Sequence, residues 1–261
     1  MYLSASHIDV KRNQDYADFA DNDDYQALIL CDGIGEFDDS GKFSNLVVNQ
    51  CIEKHYSTIK ELLLDNEILG IKDKTIEGGT TILFARCEKN NDLLKIEYLG
   101  NGGIIHFSGD FATNQNTELP YRYAEIMLPH VSPDGALRRH FSHNSGKAEL
   151  EICDISLKLN HPCGDIIVFF TDGISSLEDK VILQDSEGRF WRNESPTIQN
   201  ILSELNLFLN ANKSNEFQEA LNQFAKFVLN KLKNNNLLED DASLGIIITK
   251  EVIDYYNSLP A

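Results

Sequence analysis

The sequence is poor in positive charge. It has 23 Lys and Arg residues against 41 Asp and Glu residues, which gives a formal net charge of −18 at pH 7. A chain of this sign repels polyanions, so we expect neither nucleic acid nor an anionic membrane surface as its main partner. An acidic surface suits solubility and the binding of divalent cations.

Cysteines are few and long apolar runs are missing. The five cysteines, at positions 31, 51, 87, 153 and 163, form no CxxC pair and no zinc-ligand spacing. This pattern predicts buried thiols in a reducing compartment and not a disulfide framework. No apolar run approaches the roughly 18 residues that span a bilayer, and the N-terminus lacks the basic and apolar regions of a signal peptide. We therefore expect a cytoplasmic protein.

Three apolar runs each carry an aspartate at one end. Residues 27–31 lead to Asp32-Gly33, residues 165–171 lead to Asp172-Gly173, and Asp240 precedes the run 244–248. A carboxylate beside a buried strand is costly unless it is paired, and a hard divalent cation is a suitable partner because it prefers oxygen ligands. One Asp-Gly pair alone also indicates a simple turn, so the prediction of a shared site depends on all three.

Hydrophobic periodicity predicts mostly antiparallel strands and a few long amphipathic helices. Helices are predicted from about 45 to 65 with Ser44 as N-cap, from Ile198, from Phe217 and over the tail 250–261. Residues 109–147 are predicted to be surface loops that could act as a lid, and residues 175–196 to be irregular. The predicted strands are an edge strand at 2–9, a hairpin formed by 16–20 and 27–31, and strands at 81–87, 93–99, 104–107, 149–157, 165–171 and 243–249.

This inventory favours one α+β domain over residues 1–261. Each helix has a single apolar stripe and needs a sheet face to cover it. The simplest arrangement is a central antiparallel β-sandwich with helices on both sides, in four αββα layers. The short turn at 100–103 suggests that the strands at 81–87, 93–99 and 104–107 share one sheet. The aspartates would then converge at one end of the sandwich.

Carboxylates without a Cys or His ligand set favour Mg²⁺ or Mn²⁺ over zinc. Two such ions about 4 Å apart lower the pKa of a bridging water and clamp a phosphoryl group. Lys11 and Arg12, shortly before Asp15, are candidates to hold the phosphate oxygens. No GxSxG, CxxxxxR or P-loop motif points to another chemistry.

Short motifs follow one another in a characteristic order. They are Asn-Gln-Asp (13–15), Asp-Gly (32–33), Gly41-x-x-Ser44, Gly-Thr-Thr (79–81), Gly-Asn-x-Gly (100–103), Thr-Asp-Gly (171–173) and Asp-Asp-Ala-Ser (240–243). This order, over about residues 5–249, resembles the metal-dependent protein phosphatases of the PPM, or type 2C, family. The resemblance implies a β-sandwich flanked by helix pairs. It also implies hydrolysis of phosphoserine and phosphothreonine in proteins by a water that bridges two Mn²⁺ or Mg²⁺ ions.

The resemblance also implies a role for each matching residue. Asp32 would bridge both metals, and the carbonyl of Gly33 would bind the second. Asp172 and Asp240 would hold the first metal, and Asp15 would hold metal-bound waters. Asp32 and Asp172 are therefore the expected catalytic carboxylates, whereas Asp241 is not expected to be a direct ligand.

The sequence departs from the family at three positions. Asn101 stands where the family usually has an aspartate of a third metal site, so a third ion should bind weakly or not at all. Ile34 replaces a histidine that animal members use as an acid. Val10 stands where the family has its phosphate-binding arginine, so Lys11 or Arg12 would take that role.

These departures leave two functions open. One is an active Mn²⁺- or Mg²⁺-dependent serine/threonine phosphatase, and the other is a weak or inactive relative that binds a phosphoprotein or a regulatory partner. Residues 138–140, Arg-Arg-His, could contact such a protein or could simply be solvated. A haloacid-dehalogenase type is disfavoured, because Asp32 has no second aspartate two residues on and the strand pattern is antiparallel.

Overall fold

A computed structural model of the chain describes residues 1–64, 76–108, 123–132, 136–143, 145, 150–174, 181–184, 190–193, 196–212 and 217–258. The strands are β1 (Tyr2–Ile8), β2 (Tyr16–Asp21), β3 (Tyr25–Cys31), β4 (Gly79–Thr80), β5 (Ile82–Glu88), β6 (Leu93–Leu99), β7 (Gly103–Ser108), β8 (Tyr123–Glu125), β9 (Phe141–Ser142), β10 (Cys153–Lys158), β11 (Asp165–Phe170), β12 (Val181–Gln184), β13 (Phe190–Asn193) and β14 (Ala242–Ile248). The helices are α1 (Ser40–Lys54), α2 (Ile59–Leu64), α3 (Pro196–Ala211), α4 (Phe217–Asn234) and α5 (Lys250–Ser258).

Two five-stranded sheets form the centre of the fold. Sheet A has the order β1-β14-β11-β7-β8, and sheet B has the order β10-β6-β5-β3-β2. The paired strands in both sheets are antiparallel. The predicted antiparallel sheet and the edge position of β1 are therefore confirmed.

The two sheets pack face to face through alternate residues of their central strands. Leu28 and Leu30 of β3 meet Ile167 and Phe169 of β11, and all four are fully buried. Gly245 of β14 lies where a Cβ would come within 2.8 Å of the Leu28 and Leu30 side chains. A strand buried on both faces has no polar face, which explains the continuous apolar runs in the sequence.

Helices cover the outer face of each sheet. Ile29 and Cys31 of β3 pack with Phe43 and Val47 of α1 on the outside of sheet B. A second cluster joins the outer face of sheet A to α3, α4 and α5. The predicted four αββα layers are therefore confirmed.

The predicted helix over 45–65 is wrong in its start and its continuity. Helix α1 begins at Ser40 after Asp39, and Ser44 is a buried residue within it whose Oγ donates to Thr80 Oγ1 at 2.9 Å. His55 has a φ of 59° and ends the helix. A new helix then begins, because Thr58 Oγ1 accepts the N–H of Glu61 at 3.1 Å, as an N-cap does.

The prediction that β7 continues the sheet of β5 and β6 is also wrong. β6 belongs to sheet B and β7 to sheet A, so the chain crosses the sandwich at residues 100–103. Gly100 and Gly102 have φ values of 123° and 112°, which favour glycine. A Cβ at Gly102 would lie 2.5 Å from the carbonyl oxygen of Phe170. The crossing therefore sets this turn against the end of β11.

Short strands occur in segments that were predicted to be loops. β8 pairs with β7, β9 pairs with β4, and β12 pairs with β13. The other parts of the predicted 109–147 and 175–196 segments include 109–122, 133–135, 144, 146–147, 175–180, 185–189 and 194–195, which lie outside the described residues. Strands of two to four residues are too short to show a period.

The five cysteines are free thiols, and those at 31, 51 and 87 are buried. In the described part of the chain, no helix combines the length and the apolar character that a membrane crossing requires.

Candidate active site

Both sheets direct acidic residues to the same end of the sandwich. Asp15 precedes β2 and Asp32 follows β3, and the pairing of Tyr16 with Cys31 sets these two aspartates side by side. Asp172 follows β11 of the facing sheet. A cavity of about 390 Å³ lies at this end, and the residues that line it include Lys11, Arg12, Asp32, Gly33, Asp172 and Asp240. The structure thus brings the predicted site residues together, with Asp15 buried beside Asp32.

Asp15 is the most buried of the predicted ligands, at 1% exposure. Its Oδ2 accepts the hydroxyl of Thr171 at 2.6 Å, and Thr171 in turn accepts the N–H of Ser243 at 2.8 Å. Its Oδ1 is buried without a hydrogen-bond partner among the described residues. Burial raises the pKa of Asp15 to about 7, even though the Thr171 hydroxyl lowers it. This carboxylate therefore lacks a counter-charge.

Asp32 and Asp172 complete a group of three interacting carboxyls. Burial raises the pKa of Asp32 well above its ordinary value, and the nearby charges of Asp15 and Asp172 raise it further. Burial also raises the pKa of Asp172, although this residue borders the cavity. Like charges gathered in one site cannot all ionise without a cation or shared protons. We call Asp15, Asp32 and Asp172 the carboxyl cluster.

The backbone and a neighbouring amide hold the cluster in place. The carbonyl of Asp32 accepts the N–H of Thr81 at 2.8 Å and the hydroxyl of Thr80 at 3.0 Å. Asn101 Nδ2 donates to Asp172 Oδ2 at 2.6 Å. The residue that stands where the family has a third-site carboxylate thus binds one oxygen of Asp172.

Asp240 lies at the cavity but is more open to solvent. Its side chain is 56% exposed, and Lys11 Nζ lies 3.9 Å from its Oδ2 with a similar exposure of 55%. Solvent screens such a pair, so it contributes little to stability. The charge of Asp240 nevertheless adds to the burial that raises the pKa of Asp172.

The donor chemistry of this end fits a hard divalent cation. The groups are carboxylate oxygens, one of them buried without a partner, and Mg²⁺ and Mn²⁺ prefer oxygen ligands. Within the described ranges, no set of three or more His, Cys, Asp or Glu side chains already has the spacing of a metal site. The residues that could hold cations are Asp32, Asp172 and Asp240, with the carbonyl of Gly33 and with Asp15 beside them.

The cationic side of the cavity comes from the loop before β2. Arg12 Nη1 donates to the carbonyl of Gly35 at 2.8 Å, which holds the guanidinium at the cavity. Val10 packs against the helix-covered core of sheet A. The position of the family's arginine is therefore occupied by a partly buried apolar residue, and the cations in the described lining of the cavity are Lys11 and Arg12.

Residues 138–140 do not form part of the cavity lining that the structure describes. Arg139 pairs with Glu151, and the N–H of Arg138 donates to the carbonyl of His130 at 2.7 Å. Their neighbour Leu137 is the segment's contribution to the cavity.

Sequence reasoning missed the role of Asp241. This residue is 4% exposed, and its two oxygens accept backbone N–H groups of the loop 10–14. The sequence shows two adjacent aspartates, Asp240 and Asp241, but this pair does not show which carboxylate faces the cavity and which binds the backbone of the loop.

No family profile matches the chain, and no curated protein matches it. Solved structures do match. The serine/threonine phosphatase Stp1 from Staphylococcus aureus aligns with a TM-score of 0.61 at 13% identity, over 96% of this chain and 96% of Stp1. A sex-determining protein of C. elegans aligns with a TM-score of 0.61 at 14% identity, over 98% of this chain but 66% of that longer protein.

RsbX, solved in complex with magnesium, aligns with a TM-score of 0.53 at 13% identity, over 94% of this chain and 92% of RsbX. Identities this low bear on the fold alone. Together with the two packed sheets and their helix layers, they show that the chain has the fold of the PPM serine/threonine phosphatases.

Proposed function

We propose that this protein is a metal-dependent phosphatase that hydrolyses phosphoserine and phosphothreonine in proteins. The observation that carries the proposal is the carboxyl cluster, which lies uncompensated beneath a cavity that also holds Lys11 and Arg12. Carboxylate oxygens that can hold metal ions and the cationic side chains of Lys11 and Arg12 line the same cavity, and this combination suits a site for a phosphoryl group.

Two Mg²⁺ or Mn²⁺ ions would be held by Asp32, Asp172, Asp240 and the carbonyl of Gly33, with Asp15 beside Asp32. When bound, such ions supply positive charge to the phosphoryl oxygens and make water a better nucleophile at neutral pH. Thr171 keeps Asp15 oriented through its 2.6 Å hydrogen bond. The burial of Asp15, at 1% exposure, strengthens the electrostatic contacts of that carboxyl.

Arg12 is the better placed of the two cations to hold the phosphoryl group. Its guanidinium has five N–H donors in a planar fork, and the bond to Gly35 uses Nη1 and fixes the side chain. Lys11 is a single point charge that lies near Asp240. We infer that Arg12 supplies the paired hydrogen bonds and that Lys11 adds charge.

A second candidate is a non-catalytic module that binds a phosphoprotein. Two observations favour it. Asn101 already donates a hydrogen bond to one oxygen of Asp172, and position 10, where the family has its phosphate-binding arginine, holds Val10, which packs against the core. Such a module would keep affinity for phosphopeptides while it bound cations weakly.

Hydrolysis of p-nitrophenyl phosphate and of phosphopeptides in Mn²⁺ or Mg²⁺ separates these functions. The phosphatase proposal expects activity that a chelator abolishes and that Asp32→Asn lowers on the order of a thousandfold. Asp154→Asn, an exposed site on β10, is the matched control and should keep full activity. Wild-type protein that binds a phosphopeptide but hydrolyses none of these substrates with either ion would replace the first proposal with the second.

A further inference from the structure

The loop between β1 and β2 is built around the carboxylate of Asp241. Oδ1 accepts the N–H groups of Val10 and Lys11, each at 2.7 Å, and Oδ2 accepts that of Gln14 at 2.8 Å. The N–H of Arg12 is shared between the two oxygens at 3.2 and 3.1 Å. One buried side chain thus organises most of the backbone donors of an irregular loop.

The loop conformation makes this convergence possible. Successive N–H groups that point into one concavity form an anion-binding nest. Asn13 has a φ of 55°, in the left-handed region that asparagine tolerates, and this residue redirects the chain so that Gln14 also faces Asp241. The start of α1 closes the other side, because a Cβ at Gly41 would lie 2.1 Å from the carbonyl oxygen of Asn13.

The hydrogen bonds leave Asp241 little capacity for a cation. An ionised carboxylate offers about four lone-pair positions, and four backbone donors already occupy them. The charge of Asp241 is therefore satisfied by the backbone and not by a metal.

We propose that Asp241 is a positioning residue for phosphate recognition: by filling the nest of residues 10–14, it holds Lys11 and Arg12 at the cavity and leaves their side chains, not the loop's amides, to contact the phosphoryl group. This inference rests on the proposed function for its substrate, but the loop anchoring can be tested without any activity.

Amide hydrogen exchange of the wild-type protein is the first test. The amides of residues 10, 11, 12 and 14 lie outside regular secondary structure, yet they should exchange slowly, at rates typical of sheet amides. The N–H of Asn13, which does not point at Asp241 in the described contacts, is the internal reference and should exchange faster. Equally fast exchange along the whole loop would overturn the proposal, and this measurement needs no variant.

Asp241→Asn is the second test, because it keeps the shape of the side chain but replaces an acceptor oxygen with a donor. The amides of residues 10, 11, 12 and 14 should then exchange about tenfold faster or more. KM for a phosphopeptide should rise about tenfold, with a smaller change in kcat and an unchanged affinity for Mn²⁺ by calorimetry. Asp165→Asn is the matched control. Asp165 is as buried (2% exposed), but it is the first residue of β11, at the end of the strand opposite to Asp172 and the cavity.

The possible results separate the two proposals. If kcat falls while KM and loop exchange stay at wild-type values, Asp241 does not position the loop. If the wild type hydrolyses none of the substrates, the phosphatase proposal fails. The affinity for inorganic phosphate, measured by titration, is then compared between the variants in place of KM. Weaker phosphate binding by Asp241→Asn than by Asp165→Asn would then still support the positioning role, and equal binding would overturn it.

Discussion

Replacing Asp15 with asparagine should stabilise the protein when divalent cations are removed. The asparagine oxygen can accept the Thr171 hydroxyl as Asp15 does, and the amide N–H₂ can face Asp32 and donate to it. The variant thus copies the protonated form of Asp15 and removes a buried charge that has no partner at Oδ1.

The magnitude follows from the pKa of Asp15. This value rises from 3.8 to about 7 on folding, and each pH unit corresponds to about 1.36 kcal/mol. Between these two values the unfolded chain has lost the proton and the folded chain still holds it, so the wild type loses stability as the pH rises through this range. At pH 8 the accumulated loss is about 4 kcal/mol, whereas it is close to zero below pH 3.8.

Urea unfolding with a chelator at pH 8 and at pH 4.5 measures this difference. The stability gain of Asp15→Asn should reach several kcal/mol at pH 8, roughly 1 M or more in the urea midpoint, and shrink at pH 4.5. Saturating Mn²⁺ should stabilise the wild type much more than the variant. A variant that is less stable than the wild type by the same amount at both pH values would refute the account of Asp15 as an uncompensated charge.

Two further substitutions test other parts of the fold. Asn101→Asp replaces the amide that donates to Asp172 with a carboxyl beside the carboxyl cluster. It should tighten Mn²⁺ binding about tenfold by calorimetry and destabilise the protein in the presence of a chelator by roughly 1–3 kcal/mol. Unchanged Mn²⁺ affinity would mean that position 101 does not reach the cations. For Asp165, burial raises the pKa, but the side chain of His106, 2.9 Å away, and the N–H of His161 outweigh it and bring the pKa below 3.8. Its stabilisation is thus fully present above pH 3.8 and is lost as the pH falls through the folded-state pKa. Asp165→Asn should therefore cost roughly 1–3 kcal/mol at pH 7 by urea unfolding and less at pH 3. An equal cost at both pH values would contradict this.

The sequence predicted the layers better than the connections between them. The continuous apolar runs of β3, β11 and β14 identify strands that are buried on both faces. Residues 100–103 do not reveal which sheet the chain enters next, because a hairpin and a crossing both need glycines. The choice depends on contacts with Thr81 and Phe170, which are distant in sequence.

The predicted helix boundaries were wrong for a similar reason. Serine is a residue type that favours the N-cap position, but the hydroxyl of Ser44 donates to Thr80 in a buried contact within the helix. The second helix did carry a local signal, since Thr58 and Glu61 have the spacing of a capping box. Glu61 also accepts the N–H of Ser57 at 2.7 Å. Apolar residues recur at helical spacing throughout 45–65, and this pattern predicted one continuous helix in place of two.

The candidate site was predictable in its members but not in their electrostatics. Asp15 and Asp241 are both nearly fully buried at the same end of the sandwich, yet the pKa of Asp15 is raised and that of Asp241 is lowered. The difference lies in the donors: backbone N–H groups surround Asp241, whereas Asp15 has one hydroxyl and two neighbouring carboxyls. Environments that separate the pKa values of two carboxylates assign them different roles. Asp241 is the anion that the fold itself satisfies, and Asp15 belongs to the cluster whose charge a cation would balance.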